Sequence, residues 1–226
     1  MASQSDAPAN PWFTWAYVRD NSGDLIQALQ DHLVLTVETV VIGLLIAFPL
    51  ALLAHRFRWL AGPVLGATGA LYTIPSLALF AFLAPFTGLT QRTVLIGLVM
   101  YALLILVRNI LAGLDGVPSD VREAAQGMGY SRSRLLWRIE LPVAVPAIMA
   151  GVRVATVSTV ALVTVGVIVG YGGLGGLILR GFQNNFYRAE IVTASLLTVA
   201  LGLALDLLLA GATRLLTPWA RGPGTS

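Results

Sequence analysis

The sequence predicts an all-α integral membrane protein with about five transmembrane helices, and three observations lead to that fold class. Of 226 residues, 57% are hydrophobic and 11% are charged, with a mean hydropathy of +0.80, which is far too apolar for a soluble domain of this length. The runs 59–91 and 154–179 carry no charged residue and exceed the ~20 residues that cross a bilayer core. Helices are expected because a lipid-exposed helix satisfies its own backbone hydrogen bonds.

Apolar segments divide the chain into a membrane domain, 33–216, with a segment on either side. In the N-terminal segment, 1–32, aromatic residues precede Leu25 and Leu29 at helical spacing, a pattern typical of an interfacial helix on the extracytoplasmic surface. A C-terminal tail, 217–226, follows the last span. The predicted spans are 33–54, 60–84, 93–114, 143–169 and 191–216.

Charges around the first span predict the topology. Arg56 and Arg58 follow this span, whereas Asp24 and Asp31 precede it. Because positively charged loops remain in the cytoplasm, we expect the N-terminus outside and, after five spans, the C-terminus inside. The longest polar segment of the membrane domain, 115–141, then faces the cytoplasm.

The basic residues exclude several functions. All fourteen are arginine, so the chain has no P-loop lysine for ATP hydrolysis of its own, and any ATP and Mg²⁺ belong on a partner. The arginines are interspersed with the spanning segments and are better explained as topology signals, so nucleic-acid binding is not expected. Cysteine is absent, and His32 and His55 have no second ligand at metal-binding spacing. We therefore predict no cofactor and no metal site on this chain, and two interfacial histidines.

The segment 115–141 predicts a short helix. Pro118 and Ser119 interrupt the preceding span, and Asp120 followed by Glu123 has the spacing of a capping box, which places the helix start near Asp120. Alanine and glycine give this helix a surface that another protein's backbone can approach closely. Such a surface suits docking better than catalysis.

This segment resembles the EAA motif of the permease subunits of binding-protein-dependent ABC importers of type I. The pattern is Glu-Ala-Ala, three residues, Gly, nine residues, Ile, one residue, Leu-Pro. In that family the motif forms a coupling helix that sits in a groove of the cytoplasmic ATPase. The resemblance implies that Glu123, Ala124, Ala125 and Gly129 dock the ATPase here. The residues that match the motif are Glu123, Ala124, Ala125, Gly129, Ile139, Leu141 and Pro142.

Two further segments are similar to permeases for the osmoprotectants glycine betaine, choline and carnitine. These are 73–79, TIPSLAL, and 170–175, GYGGLG. A methionine-type importer permease is the alternative within transport, and a passive channel or membrane scaffold is the alternative from another class. The Gly-rich segment formally spells the dinucleotide fingerprint, but a span rather than a strand precedes it, so we expect a tight extracytoplasmic turn instead.

The resemblance also implies the partners and the mechanism. A multi-pass permease in the bacterial cytoplasmic (inner) membrane would bind an ATPase dimer, a second permease, identical or similar, and an extracytoplasmic substrate-binding protein. The two permeases would form a path that opens alternately to each side. The chain itself would not be an enzyme.

Polar residues inside the predicted spans are candidates for the path or gate. Pro75 should break the second span and free a carbonyl group toward a cavity. Hydroxyl groups at Thr73, Ser76, Thr159 and Thr164 could line a path, and each equally suits helix packing.

Charged residues inside spans are costly and need partners. Arg153 in the fourth span and Asp206 in the fifth are at similar predicted depths. We predict that they form an intramembrane ion pair, in a structural role rather than as a substrate site.

Overall fold

The computed structural model describes residues 10–220, and helices are the only regular elements in that range. The predicted N-terminal segment before residue 10 and the tail from residue 221 lie outside the described residues. In chain order the helices are α1 Trp15–Asp20, α2 Ser22–Arg56, α3 Arg58–Thr73, α4 Ser76–Thr87, α5 Gln91–Asp115, α6 Ser119–Gly127, α7 Arg132–Leu135, α8 Leu141–Val163, α9 Leu174–Gln183 and α10 Arg188–Leu216. A π-helical turn, Leu136–Glu140, precedes α8, and 3₁₀ turns cover Thr164–Val169 and Pro218–Ala220.

The helices agree with about five spans. Within residues 10–220, four helical segments are long and apolar enough to cross a membrane: α2, α5, α10 and the continuous stretch Arg132–Val169 that contains α8. The consecutive helices α3 and α4 form a fifth span if the bent pair is counted as one.

The helix that contains the first predicted span, 33–54, begins well before residue 33. Helix α2 runs without interruption from Ser22 to Arg56, a length of about 52 Å at 1.5 Å per residue. The predicted interfacial helix is therefore the first part of this long helix, preceded only by the short α1. The physical reason is that no proline stands between Asn21 and Pro49, so nothing ends the helix where the side chains change from polar to apolar.

The second span is broken at the predicted position. Helices α3 and α4 meet at an angle of 94° across Ile74 and Pro75. Pro75 cannot donate a backbone hydrogen bond, and Ile74 has extended backbone angles, as expected for a residue before proline. The Tyr101 hydroxyl on α5 donates to the carbonyl oxygen of Ile74, so one backbone group exposed by the break is satisfied by a neighbouring helix.

The core of the bundle surrounds α5, which contacts α2, α3, α4 and α8. Helix α2 contributes Ala47, Ala51 and Ala54, each buried and about one turn apart. A Cβ at Gly43 would lie 3.2 Å from Leu106 on α5. Small residues at this interface let the helices approach closely, which is how helices gain packing energy in a membrane.

The Gly-rich segment turns the chain from the 3₁₀ helix into α9. Gly170 and Gly173 have positive φ values of 87° and 49°, a conformation that glycine adopts without steric cost. A Cβ at Gly173 would lie 2.7 Å from the Cβ of His32 on α2. The predicted tight turn is therefore also a site of close backbone packing.

An ion-pair cluster holds α9 against its neighbours at the end of the bundle opposite α6. Arg180 on α9 pairs with Glu190 at the start of α10 and with Asp24 at the start of α2, the latter at 3.0 Å. The hydrogen bond to Glu190 raises the pKa of Arg180 above its usual range, so the guanidinium group keeps its charge. No signal in the sequence indicates this cluster, because Asp24 is 156 residues from Arg180 and because Arg180 and Glu190 meet only across the turn between α9 and α10.

Candidate functional site

The short helix in the polar loop is α6, and its N-terminus differs from the prediction. It begins at Ser119 with Pro118 at the N-cap, and no side chain caps it. Asp120 instead lies inside the first turn, so the predicted capping box with Glu123 does not form. Proline at the cap explains the shift, since its fixed φ already suits helix entry. The Asp120 carboxylate still favours the helix through its position near the positive end of the dipole.

The motif glycine ends α6. Gly129 has a φ of 81°, the N–H of Gly129 donates to Gln126 O, and the N–H of Tyr130 donates to Ala125 O. These two bonds form a Schellman motif, in which the residue after the C-cap takes a left-handed conformation. A Cβ at Gly129 would meet nothing within 4 Å. The structure therefore gives Gly129 a backbone reason for being glycine, separate from any contact with a partner.

Two of the motif residues in α6 are exposed and one is buried. Glu123 and Ala124 lie on the exposed side, whereas Ala125 is only 2% exposed and faces the rest of the chain. The structure adds two apolar residues that the sequence analysis missed, Val121 and Met128, with Met128 69% exposed. Residues 121, 124 and 128 follow helical spacing and therefore form one stripe. Glu123 is also exposed, about 100° around the helix from Ala124. We call the stripe Val121, Ala124 and Met128, together with Glu123 beside it, the exposed α6 face.

The other end of the motif belongs to the start of α8. Leu141 is buried in the main core, and Ile139 and Pro142 are partly buried. The turn before them is π-helical, since the N–H of Leu141 donates to Leu136 O, five residues back. Pro142 has no N–H to donate to Arg138 O, so regular α-helical bonding is interrupted here. The structure thus separates the motif into an exposed helix and an anchoring turn.

A cluster of charged residues connects these two parts. Arg122 Nε lies 2.8 Å from Glu140 Oε1 in an ion pair rather than an aligned hydrogen bond, and Arg122 Nη2 donates to Leu114 O at 2.6 Å. His55 Nδ1 is 2.9 Å from Asp115 Oδ1, and His55 Nε2 is 3.4 Å from Glu140 Oε2. Sequence reasoning treated His55 as merely interfacial. The structure instead places it between two carboxylates.

His32 was also predicted to be interfacial, and that prediction is wrong. Its side chain is fully buried, and Nε2 lies 3.0 Å from Val160 O on α8. The α-helix changes to a 3₁₀ helix at Thr164, which releases carbonyl groups such as that of Val160 from regular i→i+4 bonding. His32 therefore contributes to helix packing.

The predicted path residues lie in two parts of the chain and have different surroundings. Thr73, Pro75 and Ser76 lie together at the break between α3 and α4, and Thr73 and Pro75 are exposed. Thr159 is 2% exposed, and its hydroxyl donates to Ala155 O within α8. Thr164 is partly exposed and donates to Ala161 O. The packing role that the sequence left open is the one that Thr159 has in this structure.

Arg153 and Asp206 meet between α8 and α10. Two hydrogen bonds, each 2.8 Å long, join Arg153 Nε and Nη2 to the two carboxylate oxygens of Asp206. This paired geometry is the strongest that arginine and a carboxylate can form. The side chains are 37% and 29% exposed, and they open into a groove of about 720 Å³ that is otherwise lined mostly by apolar residues of the two helices.

Comparison with known sequences reveals the family. Residues 39–222 match the model of the "Binding-protein-dependent transport system inner membrane component". The osmoprotectant import permease protein OsmW of Salmonella typhimurium is 36% identical over 208 residues, which cover 89% of this chain and 96% of the relative. The choline transport system permease protein OpuBB of Bacillus subtilis is 32% identical over 203 residues, covering 89% and 93%.

Solved structures have the same fold. An inward-facing crystal structure of the MetNI methionine ABC transporter contains a chain with a TM-score of 0.77 and 19% identity, covering 88% of this chain and 98% of that one. An amino acid ABC transporter crystallised with histidines has a TM-score of 0.70 and 16% identity, covering 89% and 98%. The chain belongs to the binding-protein-dependent transport system inner membrane components, and it is the non-enzymatic membrane permease component of an ABC importer.

Proposed function

We propose that this permease imports quaternary ammonium osmoprotectants such as glycine betaine, choline and carnitine. The observation that carries the proposal is the similarity to permeases named for these substrates, at 32–36% identity over 89% of the chain. The methionine importer shares 19% identity, which supports a common fold rather than a common substrate. A methionine-type importer is therefore the second candidate.

The exposed α6 face is the proposed docking site for the ATPase. It combines one carboxylate, Glu123, with the apolar stripe Val121, Ala124 and Met128, of which Val121 is 37% exposed and Met128 69%. Exposed apolar side chains on a short helix at the end of a bundle are typical of a protein contact. Movement of a bound ATPase dimer would reach the membrane helices through this helix.

A second permease, identical or similar, would cover the groove between α8 and α10. The pair Arg153–Asp206 lies near the middle of α8 and opens into this groove. Charged groups at membrane depth face protein or a water-filled cavity rather than lipid. A second permease at this groove would provide that environment, and a substrate-binding protein would deliver substrate from outside.

The break between α3 and α4 is the proposed position of the translocation path. Irregular backbone at membrane depth occurs where it is buried in protein or lines a cavity. Pro75 and Thr73 are exposed at the break, so this surface meets either the path or the second permease. Closure of the ATPase dimer would open the path outward, and hydrolysis would return it to the inward-open state.

The test is substrate-stimulated ATP hydrolysis by the complex reconstituted in liposomes with its binding protein. We expect glycine betaine, choline or carnitine to stimulate hydrolysis and methionine not to. Glu123→Arg should abolish stimulation, because it reverses the charge on the exposed α6 face. The matched control is Arg92→Glu, a charge reversal at an exposed residue in the first turn of α5. This position is at the opposite end of α5 from α6, and the variant should behave as wild type.

Each result bears on a separate part of the proposal. Stimulation by methionine alone would show that the chain is a methionine-type importer permease. Full stimulation in Glu123→Arg would overturn the docking site on α6 and leave the substrate assignment standing.

A further inference from the structure

The charged cluster beside α6 has no role in the function proposed so far. It contains two cations, Arg58 and Arg122, two anions, Asp115 and Glu140, and His55 between the anions. These residues come from the end of α2, the start of α3, the end of α5, from α6 and from the turn before α8. The cluster therefore joins the proposed docking helix to four other elements of the bundle.

Glu140 is the most enclosed charge in this cluster. Its side chain is 8% exposed, compared with 44% for Asp115 and 78% for Arg58. One carboxylate oxygen faces Arg122 at 2.8 Å and the other faces His55 at 3.4 Å. A buried carboxylate depends on its charged partners, because removing one of them leaves an uncompensated charge. Glu140 is thus held from α6 on one side and from α2 on the other.

Arg122 connects Glu140 to the docking helix directly. It is adjacent to Glu123 in α6, and besides its contact with Glu140 it donates to Leu114 O at the end of α5. Any displacement of α6 must either carry Glu140 with it or break the pair Arg122–Glu140. Glu140 immediately precedes Leu141, the first residue of α8.

The backbone at Glu140 is suited to passing on such a displacement. Glu140 ends the π-helical turn Leu136–Glu140, and Pro142 and Pro146, about one helical turn apart, each remove a backbone donor from the first part of α8. π-helical turns frequently occur at functional sites, and proline locally weakens the helix. From these contacts we infer that Glu140 is a positioning residue that couples the movement of α6 to α8, with Arg122 as its link to the docking helix.

The inference rests on the proposed docking of an ATPase at α6, and its test uses complexes in which the ATPase has co-purified. For wild type, Glu140→Gln, Arg122→Gln and Arg122→Lys, the ratio of substrate transported to ATP hydrolysed would be measured in liposomes. Glu140→Gln keeps the shape of the side chain and removes its charge. We expect it to assemble, to keep ATP hydrolysis and to lower the ratio about tenfold, within the usual range of coupling between sites.

Two comparisons separate coupling from folding. Arg138→Gln removes an exposed charge two residues from Glu140 and should leave the ratio unchanged. Arg122→Lys keeps the positive charge, so the ratio of substrate transported to ATP hydrolysed should fall less in this variant than in Arg122→Gln. A purely structural role would lower the amount of complex without altering the ratio.

An unchanged ratio in Glu140→Gln would overturn the inference. If Glu140→Gln does not assemble, Arg122→Gln decides the question, and a wild-type ratio there would overturn it as well. Failure of the docking proposal would give a different result: in Glu123→Arg the ATPase would still co-purify, and substrate would still stimulate ATP hydrolysis as in wild type.

Discussion

Gly175 and Gly176 are adjacent in α9 but have different surroundings. A Cβ at Gly175 would lie 2.3 Å from the backbone oxygen of Thr164, whereas a Cβ at Gly176 would meet nothing within 4 Å. The first contact involves backbone at the start of the 3₁₀ helix, which cannot move aside as a flexible side chain can. Gly175 is therefore required for packing, and Gly176 is not.

This difference predicts opposite effects of the same substitution. Gly175→Ala should lower the free energy of unfolding by roughly 1–3 kcal/mol, as overpacking of a close contact does. Gly176→Ala, the matched control, should leave stability unchanged or raise it by up to about 1 kcal/mol, since alanine favours the helix. Thermal unfolding of both variants in detergent measures the effect. Equal midpoints for the two variants would contradict the close contact at Gly175.

At the scale of one element, α6 depends on how it ends. The Schellman motif requires Gly129 in the left-handed region, while Gly127 is inside the helix. Neither position restricts the space for a Cβ. Substitutions at the two positions therefore separate backbone conformation from packing.

Gly129→Ala should weaken the end of α6, because a left-handed conformation costs a residue with a Cβ about 1–2 kcal/mol. Gly127→Ala should stabilise the helix by up to about 1 kcal/mol. Hydrogen exchange of the amides of residues 124–130 would follow the effect, with faster exchange in Gly129→Ala than in Gly127→Ala. The reverse order would show that the left-handed conformation of Gly129 does not stabilise the end of α6.

At the scale of the whole molecule, the orientation in the membrane remains a prediction. The chain has no cysteine, so single cysteines report their location without further changes. Gln126 on α6 and Asn184 after α9 are both exposed and lie toward opposite ends of the bundle.

With the N-terminus outside, a membrane-impermeant maleimide should label Asn184→Cys in intact cells and should label Gln126→Cys only after the membrane is permeabilised. The reason is the positive-inside rule, which places the arginine-rich loop that contains α6 in the cytoplasm. If Gln126→Cys were labelled in intact cells and Asn184→Cys only after permeabilisation, the N-terminus would be inside. Equal expression of the two variants is the control.

The sequence predicted helices well where the signal is local. The apolar runs 93–114 and 191–216 end within a few residues of the helices α5 and α10, and Pro75 lies at the break between α3 and α4. The sequence did not predict that α2 begins as early as Ser22, because hydropathy reports where a helix changes solvent and not where its backbone begins. The capping box predicted at Asp120 does not form. Pro118 and Asp120 are two residues apart and each can mark a helix start, and here the helix starts directly after Pro118.

The apolar composition of the chain was enough to show that it crosses a membrane. The spacing of one motif showed its resemblance to ABC-importer permeases, and that resemblance predicts which residues couple it to an ATPase. The packing of the helices was needed to show that Ala125 is buried while Met128 is exposed, that His55 lies beside Glu140, and that Arg180 joins α2 to α10. Those contacts bring together residues that are distant in sequence, and their geometry depends on how the helices pack rather than on local pattern.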